Sequence, residues 1–509
     1  MATSAKDIDQ PEKPVKKKSK RKKLYELHTW VGFHLAFIMA LVLFTGTVAT
    51  LSNEIDWLIQ DDMRVTPGEE MVSWGEMDRA VRTYAPNANV ASIGTMDHDY
   101  FAYRATVMDE FGNRNYVHVN QWTGEVTGET HPLTVQRFFR DLHRYLFMPN
   151  YLGLPIVGSL SFILLISLYT GLKTTRNWRT VMMRVRRNKG VRILLGDMHK
   201  AAGIWASWFF ILMAVTGIWY LAEFGYAVAG ERMEAERPGL TEERIAELGP
   251  VIRDSPVGDV ARVAKEAIPD LQITGIQYPL RHNQAFTVLG VRSNPLLRDR
   301  ANRVFVDPAD LSVIKAQPEE DISTVAWLNE MADPLHFGTF GGLTTKIIWF
   351  VFGIFMTGLS ITGVWLTWRR LKSKAVTRAQ FATLPVLLLS LVFFTQWLER
   401  YQERGPMDEE QNFAEQPLPS GVRAGLAVGT NDGVPAARVI LRTEGRPSLK
   451  SASICIDANC EETDLPVSGS LMSIPMDLPE AELEVGDKIT VKLRYHDGEE
   501  EQAGWKFEV

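Results

Sequence analysis

The chain has 509 residues and a formal net charge of −6. That length exceeds one ordinary domain. A mean hydropathy near zero conceals an alternation of very apolar and very polar blocks, which excludes a single uniform soluble fold.

Taken in chain order, residues 1–27 form a basic tail that crowds Lys16, Lys17, Lys18, Lys20, Arg21, Lys22 and Lys23 against the first apolar run. Runs at 30–51, 152–172, 204–221 and 347–368 are long enough to cross about 30 Å of hydrocarbon at about 1.5 Å per residue, and a shorter one at 381–397 is expected to be a fifth span. No small-residue cleavage site follows the first run, so it is expected to remain as a helix. The layout is then a span at 28–51, an external domain at 52–142, a pre-helix and span at 143–172, and a basic loop at 173–198. A span at 199–221, a second external domain at 222–335 and a pre-helix and span at 336–368 follow. A linker at 369–380, the fifth span at 381–398, a linker at 399–420 and an external domain at 421–509 complete it. Lys and Arg concentrate before span one, at 173–198 and at 369–380, so the positive-inside rule puts those segments and the N-terminus in the cytoplasm. Topology and lipid head groups account for these basic runs, and no nucleic-acid partner is expected. The fold class is a polytopic α-helical membrane protein with two external α+β domains and a small C-terminal β-sandwich, whose strands are expected around 424–428, 437–441, 453–456 and 488–495. Cys455 and Cys460 fall in that external domain, where a disulfide persists.

The chain repeats itself. Leu27-His28-Thr-Trp-Val-Gly32 aligns with Met198-His199-Lys-Ala-Ala-Gly203, and each His is followed at the same distance by a Thr-Gly pair, Thr45-Gly46 or Thr216-Gly217. Asp141-Leu142-His143 precedes a span closing in Thr170-Gly171, as Pro334-Leu335-His336 precedes one closing in Thr362-Gly363. Between them, a helical stretch and alternating β-type runs occur twice, ending in Tyr116-Val-His-Val-Asn120 and Arg303-Val-Phe-Val-Asp307. The unit of span, external α+β domain and span is duplicated.

These motifs, with Val119-Asn-Gln-Trp-Thr-Gly-Glu-Val-Thr-Gly128 and Pro334-Leu-His-Phe-Gly-Thr-Phe-Gly-Gly342, resemble the PepSY-associated transmembrane helix family over residues 24–372. Some members are inner-membrane, haem-containing reductases of ferric siderophores in Gram-negative bacteria. The resemblance therefore implies a bacterial inner-membrane location, PepSY-like external domains and electron transfer to a periplasmic ferric chelate.

The histidines point the same way by their chemistry. Imidazole is a strong axial ligand of haem iron, and helical bundles build cofactor sites from facing helices. His28 and His199 open their spans from the cytoplasmic side and are expected to share one iron; His143 and His336 precede theirs from the other side and are expected to share a second. Gly32 and Gly203, one turn on from His28 and His199, remove the side chains that would block a flat macrocycle. One or two b-type haems are thus expected, and the absence of a C-x-x-C-H motif argues against covalent attachment. His34 is assigned to packing, and His98, His118, His131, His282 and His496 to surface positions. Trp30, Trp57, Trp219, Trp349, Trp365 and Trp368 are assigned to an interfacial belt. No dinucleotide fingerprint or P-loop occurs, so a cytoplasmic donor protein or a membrane quinol is expected to supply electrons. The alternative is a non-enzymatic membrane scaffold whose external domains bind a partner or restrain a peptidase.

Overall fold

The computed structural model describes residues 19–509 except 110, 242, 245–250, 253–256, 281–282, 370–382, 432, 443–444, 447–448, 465–470, 478–482, 496 and 508–509. Among the described residues three helices are long and apolar enough to cross a membrane: α6 (Asn150–Thr174), α9 (Ser207–Val228), and α12 (Gly342–Trp368) with the turn that leads into it. The run expected as the first span is broken into α1 (Lys20–His34) and α2 (Ala36–Thr50), which meet at 65° and together are also long and apolar enough. The protein is a multi-pass membrane protein.

The break at Leu35 has a counterpart. The run expected as span three divides at Ala206 into α8 (Val191–Trp205) and α9. No proline stands at either break, and Ala206 is fully buried in the bundle core with Ile38, Phe209, Ala214, Met356 and Leu359. On the other side of the bundle, α5 (Val135–Tyr145) turns into α6 and α11 (Thr324–Phe337) turns into α12. After α5 the turn puts Leu146 and Phe147 at positive φ; after α11, Gly338 has the same sign with no side-chain penalty. Each span is therefore preceded by a short helix that carries one of the four repeat-matched histidines.

At the end of the bundle remote from the basic tail lies an antiparallel sheet. Its strands are β1 (Asn89–Gly94), β2 (Tyr103–Met108), β3 (Arg114–Val119) and β4 (Val126–Thr130) from the first repeat. The second repeat adds β6 (Gln272–Gln277), β7 (Phe286–Val291), β8 (Asn302–Val306) and β9 (Val313–Gln317), following the two-residue β5 (Val251–Ile252). The two halves are continuous, because β1 pairs with β6 and gives the order β4-β3-β2-β1-β6-β7-β8-β9. Glycine allows that seam: a Cβ on Gly94, which sits opposite Gly275, would stand 3.0 Å from the Thr274 carbonyl.

One face of the sheet holds a core of Val90, Ile93, Ala105, Val117, Ile276, Val288 and Val304 under α4 (Trp74–Tyr84) and α10 (Val257–Ala267). The Tyr278 hydroxyl donates to the buried Asp78 carboxylate at 2.6 Å and so ties the second half to the first. The other face carries Arg104, Tyr116 and His118 on one half and Arg303 and Phe305 on the other, and Arg137 of α5 reaches it at the Tyr116 hydroxyl.

The run expected as a fifth span forms α13 (Leu384–Glu399), an apolar helix of 16 residues, shorter than the three helices long enough to cross a membrane. It packs on α5 and α6 through the Trp397 indole N–H to Asp141 at 2.9 Å and the Ser390 hydroxyl to the Leu146 carbonyl at 2.8 Å. The tail is the expected sandwich. One sheet has β10 (Asp408–Pro417), β11 (Arg423–Asn431), β12 (Val434–Arg442) and β16 (Leu471–Asp477). The other has β15 (Asn459–Asp464), β14 (Leu449–Ile456), β17 (Lys488–Tyr495) and β18 (Glu500–Lys506). Leu426, Val439, Ile454, Val491 and Trp505 fill the space between them. Cys455 and Cys460 are disulfide-bonded across β14 and β15. A two-residue β13 (Gly445–Arg446) pairs with β5.

Candidate cofactor-binding site

The four matched histidines come together in two pairs, the ones expected from their positions. At the basic end of the bundle the His28 and His199 ring centres are 6.4 Å apart; at the sheet end those of His143 and His336 are 6.2 Å apart.

Every one of these rings is held by its Nδ1. His28 Nδ1 donates to the Ser167 carbonyl at 3.0 Å and lies 3.0 Å from the Thr170 hydroxyl. His143 Nδ1 donates to the Val42 carbonyl at 2.8 Å. His199 Nδ1 meets the Thr362 hydroxyl at 3.0 Å, and His336 Nδ1 meets the Thr216 hydroxyl at 2.7 Å. Those two hydroxyls already donate to carbonyls one turn back, Thr362 to Gly358 and Thr216 to Leu212, so their free capacity is as acceptors. The proton therefore sits on Nδ1 in His28 and His143, which face carbonyls, and the same tautomer, with Nε2 keeping its lone pair, suits His199 and His336. A fixed tautomer with a wall-bound Nδ1–H is how ligating histidines are oriented.

Glycines admit the rings to the helix surfaces. A Cβ on Gly171 would lie 3.3 Å from His28 Cε1, one on Gly363 3.4 Å from His199 Cε1, and one on Gly46 2.6 Å from His143 Cε1. Each recurring Thr-Gly pair of the sequence thus contributes to the seat of a histidine, with both residues at His28 and His199, with Gly46 at His143 and with Thr216 at His336. Sequence reasoning used them as markers of the repeat and assigned them no role; their fourfold recurrence, one in each span, was the available signal.

Between the basic-end pair lies a cavity of about 1110 Å³. This is at the upper limit of ordinary small-molecule sites, roughly 300–1,000 Å³. Its walls are apolar at Met39, Leu43, Phe210, Met356 and Leu359, and cations line it at Arg21, Arg186, Arg192 and Lys200. Gly32 and Gly203 both line it. A Cβ on Gly32 would meet nothing within 4 Å, and one on Gly203 only Leu359 at 3.9 Å. Of the other assigned residues, His118 departs from its surface assignment. It is 1 % exposed, with Nε2 2.8 Å from the Thr130 hydroxyl of the neighbouring strand. Burial and then Arg104 push its pKa down to about 4. Trp349 also leaves the belt: it is buried, and its N–H donates to the Leu335 carbonyl at 2.9 Å. His282, His496 and the side chain of His34 lie outside the described residues.

Among the described residues no three His, Cys, Asp or Glu side chains converge as a metal cage. Two imidazoles per site suit a metal whose remaining ligands come from elsewhere. If each pair held one metal ion, two metal–imidazole bonds of about 2 Å plus about 1 Å from each nitrogen to its ring centre would separate the ring centres by about 6 Å. Both observed separations match. At the basic end an apolar cavity with cations along it also matches a flat apolar macrocycle with two carboxylates, so the residues there fit a b-type haem.

Residues 25–370 match the family described as the PepSY-associated TM region. The chain belongs to that family. Its PepSY-associated TM region contains both repeats and all four histidines, and it ends before α13 and the sandwich. No curated protein matches the chain.

Proposed function

We propose that this protein carries electrons across the bacterial inner membrane through two bis-histidine b-type haems and delivers them to a ferric chelate in the periplasm. The observation that carries the reading is the pair of imidazole separations, 6.4 and 6.2 Å, with Nδ1 pinned in all four rings. Haem, when bound, supplies a one-electron iron couple at each end. The residues fix the axial bases, exclude water with the apolar walls and complement the acid groups with the basic lining.

Proximity supports transfer between the two sites. The basic-end cavity reaches Met39 and Leu43, while His143 rests on Val42 and Gly46 of the same helix. The sites thus adjoin within about one helical turn, roughly 5.4 Å. A donor protein or quinol at the basic end loses one electron per step, and Fe(III) in the chelate gains it; chelators that favour Fe(III) hold Fe(II) less tightly, so reduction promotes release.

An absorption spectrum of the detergent-purified protein before and after dithionite, with a pyridine haemochrome assay, tests the proposal. Two haems per chain are expected. His28→Ala and His199→Ala should deplete the same haem without adding to each other, whereas His28→Ala with His336→Ala should remove both. A colourless protein from haem-replete cells would leave the scaffold alternative.

A further inference from the structure

Beneath the sheet, beside His143, the helix α5 carries Arg137, Arg140 and Arg144 at spacings of three and four residues, which place them on one face. Arg137 Nη2 lies 3.5 Å from the Tyr116 hydroxyl on the underside of β3, and the Arg104 guanidinium stacks over the same ring at 4.5 Å. The nearby carboxylates are committed elsewhere. Asp56 accepts the first N–H groups of α5, from Val135 and Gln136, and Asp141 accepts the Trp397 indole. Asp333 accepts from Tyr220 and Arg298. Among the described residues Arg140 and Arg144 make no hydrogen bond or ion pair, and the buried Arg137 Nε has no partner. The second repeat differs: its Arg298 and Arg300 are matched by Glu330, Asp333 and Glu234.

Half-buried guanidinium groups whose neighbouring carboxylate, Asp141, is hydrogen-bonded elsewhere are costly and call for an anion. Burial, followed by Arg144 and Arg137, lowers the pKa of Arg140, as expected of cations that repel one another. Arg144 follows His143 in the chain, and its charge reaches both His336 and Tyr220. The basic-end pair has cations along its cavity in the same relation. Guanidinium forks match planar carboxylates by paired N–H donation.

We infer that Arg137, Arg140 and Arg144 form a carboxylate-binding site adjoining the sheet-end histidine pair, an assignment that rests on the electron-transfer reading. The carboxylates come either from the cofactor's own side chains or from an anionic ferric chelate that docks under the sheet.

The test uses the full-length protein in detergent, with Arg140→Gln, Arg144→Gln and the charge-keeping Arg140→Lys. Iron-free citrate is followed by thermal shift, ferric citrate and a neutral ferric trihydroxamate are compared as acceptors, and haem is counted. If the chelate is the source, the glutamine variants raise the ratio of the ferric citrate KM to the trihydroxamate KM by about tenfold or more, and citrate no longer stabilises them. Arg140→Lys restores part of that ratio. If the cofactor is the source, the same variants lose sheet-end haem selectively and citrate has no effect on the wild type. Variants with wild-type haem content, KM ratio and citrate response would overturn the site. A colourless wild type would overturn the electron-transfer reading alone, provided citrate still raised its Tm and failed to raise that of Arg140→Gln.

Discussion

Gly46→Ala tests the sheet-end pair without touching a ligand atom. The added Cβ would stand 2.6 Å from His143 Cε1, 2.8 Å from Nδ1 and 3.3 Å from Nε2. Carbon contacts settle near 3.5–4.0 Å, so ring and methyl must part by about 1 Å. The ring cannot swing away freely, because Nδ1 is held by the Val42 carbonyl four residues earlier on the same helix. A ligand bond of about 2 Å does not survive such a displacement. Overpacking of this kind costs about 1–3 kcal/mol in stability. Gly353→Ala is the matched control: its Cβ would crowd Thr47 Oγ1 at the same 2.6 Å, in the interface of α2 with α12, without facing any of the four histidines. The assay is haem content with optical redox titration on folded protein. Gly46→Ala should lose or shift the sheet-end haem and keep the other, while Gly353→Ala loses stability and keeps both. Two haems with unshifted potentials in well-folded Gly46→Ala would refute the seat-and-ring reasoning.

Thr216→Val and Thr362→Val each remove the acceptor of one Nδ1–H, so each should weaken haem retention about 10–100-fold at its own end only, read by haem loss to an apo-globin acceptor. Trp397→Phe leaves the buried Asp141 without its indole donor and should lower stability by about 1–3 kcal/mol, measured as a shift in Tm. His118 titrates near 4 when folded against 6.5 when unfolded, so the unfolded chain takes up the proton first and stability falls as pH drops from about 6.5 to about 4. His118→Phe, which copies Phe305 of the second repeat, should remove up to about 3 kcal/mol of that dependence, visible as a flatter Tm–pH profile.

The sequence by itself determined the periodic and the local features. Apolar runs of sufficient length had to span, and alternation at 115–119 and 303–306 had to make strands. The duplicated His-to-Gly and Thr-Gly registers were enough to sort four histidines into two pairs. Tertiary structure decided what depends on contacts between distant segments. The breaks at Leu35 and Ala206 have no proline to announce them, and Ala206 sits in a packed core. The joining of β1 to β6 depends on Gly94 meeting Gly275, a pairing that neither strand signals alone. His118 looked exposed because strand alternation identifies a second face of the sheet but not what covers it. The role of the recurring Thr-Gly pairs was hidden for the same reason: their repetition shows in the sequence, but Thr170, Thr216 and Thr362 are ordinary helix residues until a helix from another part of the chain presents an imidazole to their hydroxyls.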